Sequence, residues 1–245
     1  MTNPFNLTGK TILVTGASSG IGRQTCISIA NMGGIVIASA RNEERLNETL
    51  SMLPGDNHKI IKAELTDTND IENLAVNIDK INGVVHCAGI VKLIPLKFYT
   101  KEDLRRFNEI NYEAPILLTS ILMKKRKLAE SASIVFISSI MSEIGVIGNG
   151  LYSGTKGALV AITRVLALEA AAKKIRVNCI SPALVKTPLI DELTFQREIE
   201  ANIEKHPLGI GSPEDVANCC VFLLSDASRW ITGTNLIIDG GYTAQ

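Results

Sequence analysis

The chain carries no excess charge of one sign and has few histidines. Its 25 lysines and arginines balance 25 aspartates and glutamates, so the formal net charge is zero. Without a basic excess it lacks the overall electrostatic footprint of a nucleic-acid-binding protein. The three histidines, His58, His86 and His206, show no metal-ligand spacing. The composition therefore predicts neither nucleic-acid binding nor a metal site.

Long hydrophobic runs and paired cysteine motifs are missing as well. No apolar stretch approaches the ~20 residues that span a bilayer, and residues 1–5 carry no signal-peptide pattern. The five cysteines include no C-x-x-C and lie mostly in apolar contexts, which is typical of buried reduced thiols. We therefore expect a cytoplasmic protein without a membrane partner.

What the chain does contain is a regular alternation of strand-like and helix-like runs over 245 residues. Continuous apolar strands are typical of a parallel sheet that is covered on both faces. The pattern predicts an α/β protein, a single-domain Rossmann fold over residues 1–245, with a doubly wound parallel sheet and helices on both faces. The strand-like runs are 11–15, 35–39, 59–63, 83–87, 133–138, 175–180 and 235–239, and the main helix-like runs are 23–32, 42–52, 66–81, 101–127 and 152–173.

The first strand-like run leads into a glycine-rich turn, Gly-Ala-Ser-Ser-Gly-Ile-Gly at residues 16–22. Glycines allow a tight turn and close approach of the backbone to a pyrophosphate, and the following helix start offers N–H groups and a positive dipole end. The spacing G-x-x-x-G-x-G differs from the general dinucleotide fingerprint G-x-G-x-x-G. The strand before it and the helix after it favour a phosphate-binding turn over a turn without a ligand.

Tyr152 and Lys156 are four residues apart in a helix-like run, so they share one helix face. An ammonium beside a phenol favours the phenolate, and we expect it to lower the Tyr152 pKa from its usual value of about 10. Such a phenol suits proton exchange with a carbonyl oxygen. The pair is weak support by itself, because both residue types are common.

Together, these features resemble the classical short-chain dehydrogenase/reductase family over residues 10–242. The C-terminal run 230–241 is similar to the 3-oxoacyl-[acyl-carrier-protein] reductase branch, among others. The resemblance implies seven strands, NAD(P)-dependent oxidoreductase activity and a homotetramer or homodimer. The ordered motifs that carry it are Thr-Gly-Ala-Ser-Ser-Gly-Ile-Gly at 15–22, Asn111, Ser139, Tyr152, Lys156, Ser181-Pro182 and Asp239-Gly240-Gly241.

The resemblance also implies four catalytic roles. Tyr152 would donate a proton, and Ser139 would hydrogen-bond the carbonyl oxygen. Lys156 would lower the Tyr152 pKa and bind the nicotinamide ribose, and Asn111 would hold a water that resupplies the proton. Ser138 is adjacent, but the strand alternation and the family spacing favour Ser139. Taken singly, Ser139 could be a turn residue and Asn111 a helix-bending side chain.

Most cofactor contacts are implied in the same way. Glu64 stands where aspartate is commoner, and His86 and Cys87 replace two asparagines of the family pattern. Ala183 replaces a glycine, and we expect His86 to make a structural hydrogen bond. The implied contacts are Gly16, Ser18, Ser19, Gly20, Ile21, Gly22, Glu64, Leu65, Ala88, Gly89, Tyr152, Lys156, Pro182, Ala183, Val185 and Thr187.

The end of the second strand favours NADP(H) over NAD(H). Ala40 occupies the position where NAD-preferring relatives carry an aspartate, and Arg41 follows it. A guanidinium fork matches the geometry of a 2′-phosphate. The alternative is that Arg41 pairs with Glu44 or Glu48 at the start of the next helix.

Residues 187–211 interrupt the alternation and are predicted to be a substrate-binding lid around a helix-like run at 190–205. The alternative is a surface helix without a gating role. The expected pocket is mostly apolar, which suits a small carbonyl or alcohol substrate such as a 3-oxoacyl thioester or a hydrophobic ketone. Its candidate residues are Ile140, Met141, Ile144, Val146, Leu151, Leu184, Leu189 and Leu193.

A basic run, Lys-Lys-Arg-Lys at 124–127, is either a solvated helix end or a docking site for an acidic carrier protein that bears an acyl chain. Two other functions stay open at this point. One is an NAD(P)-dependent dehydrogenase of a sugar, steroid or other secondary alcohol. The other is a non-catalytic dinucleotide-binding sensor or scaffold.

Overall fold

Seven parallel strands form one sheet in the computed structural model, which describes residues 3–188 and 203–244. The strand order is β3-β2-β1-β4-β5-β6-β7, and the order reverses between β1 and β4. This reversal opens a crevice at the carboxyl ends of the strands, and it confirms the predicted doubly wound sheet. The strands are β1 Thr11–Thr15, β2 Ile35–Ala40, β3 Lys59–Lys62, β4 Ile81–His86, β5 Leu128–Ile137, β6 Arg176–Pro182 and β7 Asn235–Ile238.

Helices cover both faces of this sheet. Helices α1, α2 and α7 pack on one face, and α3, α5 and α6 pack on the other. None of the helices in the described ranges is long and apolar enough to cross a bilayer. The helices are α1 Gly20–Asn31, α2 Glu43–Ser51, α3 Thr68–Val76, α4 Lys101–Asn108, α5 Ala114–Lys124, α6 Gly150–Ala170 and α7 Pro213–Leu224.

The central strands β1, β2 and β4 are mostly apolar because both of their faces are buried, whereas the edge strand β3 begins and ends with an exposed lysine. In β1, Ile12 and Val14 face the core on the side of α1, whereas Leu13 faces the core on the side of α5. Alternate residues of one strand therefore serve two different cores. This double burial accounts for the continuous apolar runs on which the prediction of a parallel sheet rested.

The single helix predicted over 101–127 is wrong in detail. Helix α4 ends at Asn108, a π-helical turn follows at Glu109–Glu113, and α5 begins at Ala114. Pro115 accounts for the change, because it has no N–H to donate to the carbonyl of Asn111 and its ring crowds that carbonyl. The widened turn places Asn111 in the interior, where it is almost completely buried.

The predicted lid can be described only at its two ends. Residues 189–202, with Leu189 and Leu193, lie outside the described residues. At the ends, Val185 pairs in parallel with Gly211, and the Gly211 N–H donates to the Leu184 carbonyl at 3.0 Å. The Leu208 N–H donates to the Gly240 carbonyl at 3.0 Å. Backbone bonds therefore fix both ends of the segment against β6 and the C-terminal segment.

His86 lies at the carboxyl end of β4 and is buried. Its ring stacks on Phe136 with the centroids 4.9 Å apart, and its Nε2 lies 2.9 Å from the Thr119 hydroxyl oxygen. These contacts confirm the predicted structural hydrogen bond. Burial lowers the pKa of His86 from 6.5 to about 3, so the ring is neutral in the folded protein.

His86 should therefore make stability fall in acid. The unfolded chain takes up a proton at His86 below pH 6.5, whereas the folded chain resists it down to about pH 3. The free energy of unfolding contributed by this neutral ring is complete above pH 6.5 and is lost below it, by up to about 1.4 kcal/mol per pH unit. Urea unfolding at several pH values should show a shallower acid decline for His86→Asn than for the wild type. A decline of equal slope in the two proteins would contradict this, and His58→Asn is the control.

Candidate active site

The glycine turn after β1 packs directly against the segment that follows β4. Gly16 has a φ of +64°, and a Cβ at this position would lie 2.7 Å from the Ala88 nitrogen. A Cβ at Gly22 would collide with the Gly16 carbonyl oxygen. Only glycine fits either position, so the turn can pack tightly on itself and on the segment after β4.

Helix α1 presents its first N–H groups at this turn. Within the described residues, the Ser19 side chain makes no capping hydrogen bond, and the first turn of α1 holds no acidic side chain. Arg23 stabilises the turn, because its Nη2 donates a hydrogen bond to the Ser18 carbonyl at 2.7 Å. A helix start without a side-chain cap and with a positive dipole end fits the pyrophosphate of a dinucleotide.

The other predicted cofactor contacts gather at the same edge of the sheet. Thr187 reaches the turn, since its methyl group would lie 3.3 Å from a Cβ at Gly20. Gly89 adjoins Lys156, whose Nζ would lie 3.5 Å from a Cβ at that glycine. Each remaining contact follows the carboxyl end of a strand or closes it: Arg41 after β2, Glu64 and Leu65 after β3, Ala88 after β4, and Pro182, Ala183 and Val185 at the end of β6.

Arg41 forms an ion pair, but with a different partner from the one considered in the sequence. Its Nη1 lies 3.6 Å from Glu64 Oε2, and the two side chains are 70% and 40% exposed. Glu48 instead pairs with Arg23 at 2.7 Å. The alternative of a partner in α2 is therefore wrong among the described residues. The ends of β2 and β3 are neighbours, and this brings Arg41 and Glu64 together.

Tyr152 and Lys156 share one face of α6, with Lys156 Nζ 5.5 Å from the centre of the Tyr152 ring. The Lys156 ammonium is buried and donates to the Ile137 carbonyl at 2.6 Å. The Ile137 carbonyl ends β5 just before the two candidate serines. The helix thus brings a phenol and a cation to the carboxyl edge of the sheet, beside Gly89.

The expected lowering of the Tyr152 pKa is wrong for the described residues. Burial raises the pKa of Tyr152 from 10 to about 12, and a hydrogen bond with Ser139 only partly opposes this rise. Burial also lowers the pKa of Lys156 from 10.5 to about 8. Loss of hydration penalises both charged forms, and it is the largest cause of each shift.

Ser138 and Ser139 have different surroundings. The Ser138 hydroxyl is buried and donates to the Lys156 carbonyl at 2.8 Å, so it ties β5 to α6. Ser139 Oγ accepts a hydrogen bond from the Met141 N–H at 3.2 Å and adjoins Tyr152. The Ser139 O–H donates to the Pro182 carbonyl at 3.5 Å, a long bond that the hydroxyl can exchange for one to a ligand next to Tyr152.

Asn111 joins the π-helical turn to the loop after β4. Its Oδ1 accepts from the Ile90 N–H at 2.8 Å, and its Nδ2 donates to the Ile90 carbonyl at 3.0 Å and to Thr155 Oγ1 at 3.3 Å. One lone pair of Oδ1 remains, and this atom would lie 3.2 Å from a Cβ at Gly89. Asn111 therefore fixes the loop that passes Lys156 and does not merely bend its own helix.

Comparisons with known proteins agree with this geometry. A family model described as enoyl-(acyl carrier protein) reductase matches residues 16–243. The 3-oxoacyl-[acyl-carrier-protein] reductase FabG of Rickettsia bellii is 36% identical over 97% of this chain and 98% of its own length. A tropinone reductase homologue of Arabidopsis thaliana is 34% identical over 98% of this chain and 94% of its own length.

Solved structures are similar over nearly the whole chain. A dehydrogenase/reductase from Sinorhizobium meliloti matches with a TM-score of 0.91 and 29% identity, covering 98% of this chain and 97% of that one. A putative 2-deoxy-D-gluconate 3-dehydrogenase from Agrobacterium tumefaciens with bound NADP matches with a TM-score of 0.90 and 29% identity over all of both chains. The chain belongs to the short-chain dehydrogenase/reductase family. It is an oxidoreductase of the kind that binds NAD(P).

Apolar side chains surround Tyr152. Of the residues predicted to line the pocket, Ile140 and Leu151 are buried, and Leu151 packs in a small cluster with Ile94, Phe107 and Tyr152. Tyr99 also packs against this cluster, and its hydroxyl would block a Cβ at Gly150. The sequence analysis missed this contribution of the loop after β4. The apolar residues that follow Gly89 are the signal that could have indicated it.

Proposed function

We propose that this enzyme transfers hydride between NADP(H) and a carbonyl or secondary alcohol, with Tyr152 as the proton donor during reduction. The observation that carries the proposal is the placement of Tyr152, Ser139 and Lys156 together beside the glycine turn. Lys156 adjoins Gly89, and Ser139 adjoins Tyr152. This arrangement puts proton handling next to the surface that fits a dinucleotide.

The proton chemistry suits reduction. The nicotinamide, when bound, supplies hydride to the carbonyl carbon, and negative charge then grows on the oxygen. The Ser139 O–H would stabilise that charge, since the Met141 N–H already holds its oxygen. A Tyr152 pKa of about 12 keeps the phenol protonated at neutral pH. An alkoxide is far more basic than a phenolate, so the proton still moves downhill from Tyr152.

Lys156 and Asn111 would assist the proton transfer from Tyr152. Lys156 Nζ donates to the Ile137 carbonyl and adjoins Gly89, a position from which it would bind the nicotinamide ribose. Asn111 Oδ1 adjoins the same glycine and keeps one lone pair, which suits a water that would resupply the proton through Lys156. A pure sensor has no need of this set of four residues, which disfavours a non-catalytic function.

Preference for NADP(H) is proposed from Arg41. The guanidinium is mostly exposed, and its ion pair with Glu64 is long. Exposed pairs of this kind contribute little, so a 2′-phosphate carrying nearly two negative charges would displace Glu64 from Arg41. The NADP bound to the similar Agrobacterium dehydrogenase is consistent with this choice.

A 3-oxoacyl thioester is the proposed substrate class. The apolar surroundings of Tyr152, with Leu151 and Ile94, suit an acyl chain better than a polyol. The Rickettsia relatives named 3-oxoacyl-[acyl-carrier-protein] reductase support the same choice. The second candidate, a dehydrogenase of another secondary alcohol, is favoured by the similarity to a tropinone reductase homologue and a deoxygluconate dehydrogenase.

A basic patch supports delivery of the acyl chain by an acidic carrier protein. Lys124, Lys125 and Arg126 are exposed just before β5. Lys174 lies nearby, because it pairs with Glu130 of β5 at 3.4 Å. Lys127 differs, since it donates to the Val76 and Ile78 carbonyls. The patch lies near the starts of the strands, at the edge of the sheet opposite Tyr152.

Exposed apolar side chains support a homodimer or homotetramer. Trp230 is 94% exposed, and Leu168 on α6 is 80% exposed. Apolar side chains exposed to this extent are common where a second subunit covers a surface.

We propose the cytoplasm as the location of the protein. Its free cysteines, three of them buried, fit a reducing compartment.

Tyr152→Phe should abolish turnover and leave cofactor binding intact. We expect the NADPH Kd to change by less than about threefold, and kcat to fall by about a hundredfold or more because general acid catalysis is lost. NADPH absorbance with the N-acetylcysteamine thioester of acetoacetate measures turnover, and NADPH fluorescence measures binding. Tyr112→Phe, which removes a phenol hydroxyl elsewhere, is the control. If Tyr152→Phe turned over substrate as fast as the wild type, the assignment of Tyr152 as proton donor would be wrong. If the wild type itself bound NADPH without turnover, a sensor function would be favoured.

Arg41→Ala should weaken NADPH binding selectively. The loss of a charged hydrogen bond to phosphate predicts a rise of about tenfold or more in the NADPH Kd, with the NADH Kd unchanged. Glu64→Gln removes the competing carboxylate and should lower the NADPH Kd a few-fold. Fluorescence titration with both cofactors measures this, and Arg106→Ala on α4 is the control. A wild type that prefers NADH would refute the proposed preference.

Reversing the charge of Lys124, Lys125 and Arg126 to glutamate should impair only the carrier-bound substrate. We expect its KM to rise about tenfold, because an acidic partner loses its attraction, while the KM of the free thioester stays the same. Steady-state kinetics with both substrates measure this. The matched control reverses Lys101, Arg105 and Arg106 on α4. An unchanged KM for the carrier-bound substrate would rule out docking at this patch.

A further inference from the structure

The loop that begins with Ser139 is attached to the last strand of the sheet. Glu143 follows the short 3₁₀ turn Ile140–Ser142, and its Oε1 accepts a hydrogen bond from Asn235 Nδ2 at 3.1 Å. Asn235 is the first residue of β7, and its Oδ1 accepts from Ser181 Oγ at 2.7 Å. One amide therefore links the loop to β6 and β7 at once.

Asn235 is chemically suited to this bridge. Its carbonyl end receives the hydroxyl of Ser181, which is completely buried and needs an acceptor. Its NH₂ end donates to the carboxylate of Glu143. An amide offers an acceptor and donors on one planar group, whereas an ionised carboxylate offers acceptors alone. Asn235 can therefore satisfy both neighbours in a way that aspartate cannot.

Glu143 is connected in turn to the Ser139 hydroxyl. The Glu143 N–H donates to the Ile140 carbonyl at 2.9 Å, and Ser142 Oγ donates to the Ser139 carbonyl at 2.7 Å. Within the same turn, the Met141 N–H donates to Ser139 Oγ at 3.2 Å. These bonds make residues 139–143 one tight unit. A shift of Glu143 would therefore move the Ser139 hydroxyl with it.

We propose that Glu143 and Asn235 are positioning residues, which hold the Ser139 hydroxyl in the orientation needed beside Tyr152. This inference rests on the proposed role of Ser139 in carbonyl reduction. The bridge also adjoins Pro182, because Ser181 immediately precedes Pro182 in β6. The Ser139 hydroxyl donates a hydrogen bond to the Pro182 carbonyl at 3.5 Å. Glu143 itself is exposed and acts through Ser139 rather than on the substrate.

The hydrogen bond between Glu143 and Asn235 can be tested by exchanging the carboxylate and the amide between these two positions. Glu143→Gln keeps a side-chain oxygen that accepts from Asn235, so it should behave like the wild type. Asn235→Asp keeps the acceptor for Ser181 but faces Glu143 with a second carboxylate, and kcat should fall about three- to tenfold, the effect of one hydrogen bond. Combining the two substitutions restores a donor opposite an acceptor and should recover most of the loss.

A double-mutant cycle with Ser139 separates positioning from a general structural effect. Glu143→Ala should lower kcat about three- to tenfold in the wild-type background and have no further effect in a Ser139→Ala background. The NADPH Kd and the thermal unfolding midpoint should stay the same, as they should for Glu72→Ala, an exposed control on α3. Turnover is measured with the N-acetylcysteamine thioester of acetoacetate.

The outcomes distinguish two failures. Absence of turnover by the wild type, or full activity of Ser139→Ala, would contradict the proposed function itself. If the wild type turns over and Ser139→Ala is impaired, an unaltered kcat for Glu143→Ala overturns the positioning role alone. An equal loss of kcat in both backgrounds, or failure of the double exchange to recover activity, overturns it as well.

Discussion

The parallel pairing of β1 with β4 is the constraint on which the site depends. Their register sets Thr15 beside His86, so the glycine turn and the Cys87–Ala88 segment leave the sheet side by side. The resulting contact is so close that a Cβ at Gly16 would lie 2.7 Å from the Ala88 nitrogen. A side chain at that position would separate the two strand ends and remove the surface that fits a pyrophosphate.

Burial, more than pairwise attraction, governs the ionisable groups of this site. It raises the Tyr152 pKa to about 12 and lowers that of Lys156 to about 8, although the two side chains share a helix face. Burial also keeps His86, at the carboxyl end of β4, neutral. A protonated phenol and a dehydrated ammonium suit donation of a proton to an alkoxide, whereas oxidation needs the phenolate.

Local signals predicted the elements well and their details less well. The apolar runs indicated all seven strands, because strands buried on two faces leave a clear pattern. The helix at 101–127 was predicted without its π-helical turn. Pro115 was the sequence signal for that turn, because proline cannot donate a backbone hydrogen bond within a helix. The alternative considered for Arg41 was an ion pair with a glutamate of the neighbouring helix, yet the adjacent end of β3 supplied Glu64. Sequence proximity misled here because parallel strands bring distant residues together.

The sequence by itself determined the alternation of strands and helices, the glycine turn and the spacing of Tyr152 and Lys156. These depend on local backbone freedom and on side-chain periodicity, which are properties of short segments. Only the tertiary structure decided what Asn111 binds, what Ser138 donates to and how Asn235 reaches Glu143. It also decided the direction of the Tyr152 pKa shift. Hydration and long-range contacts set these features, and both depend on segments that are remote in the chain.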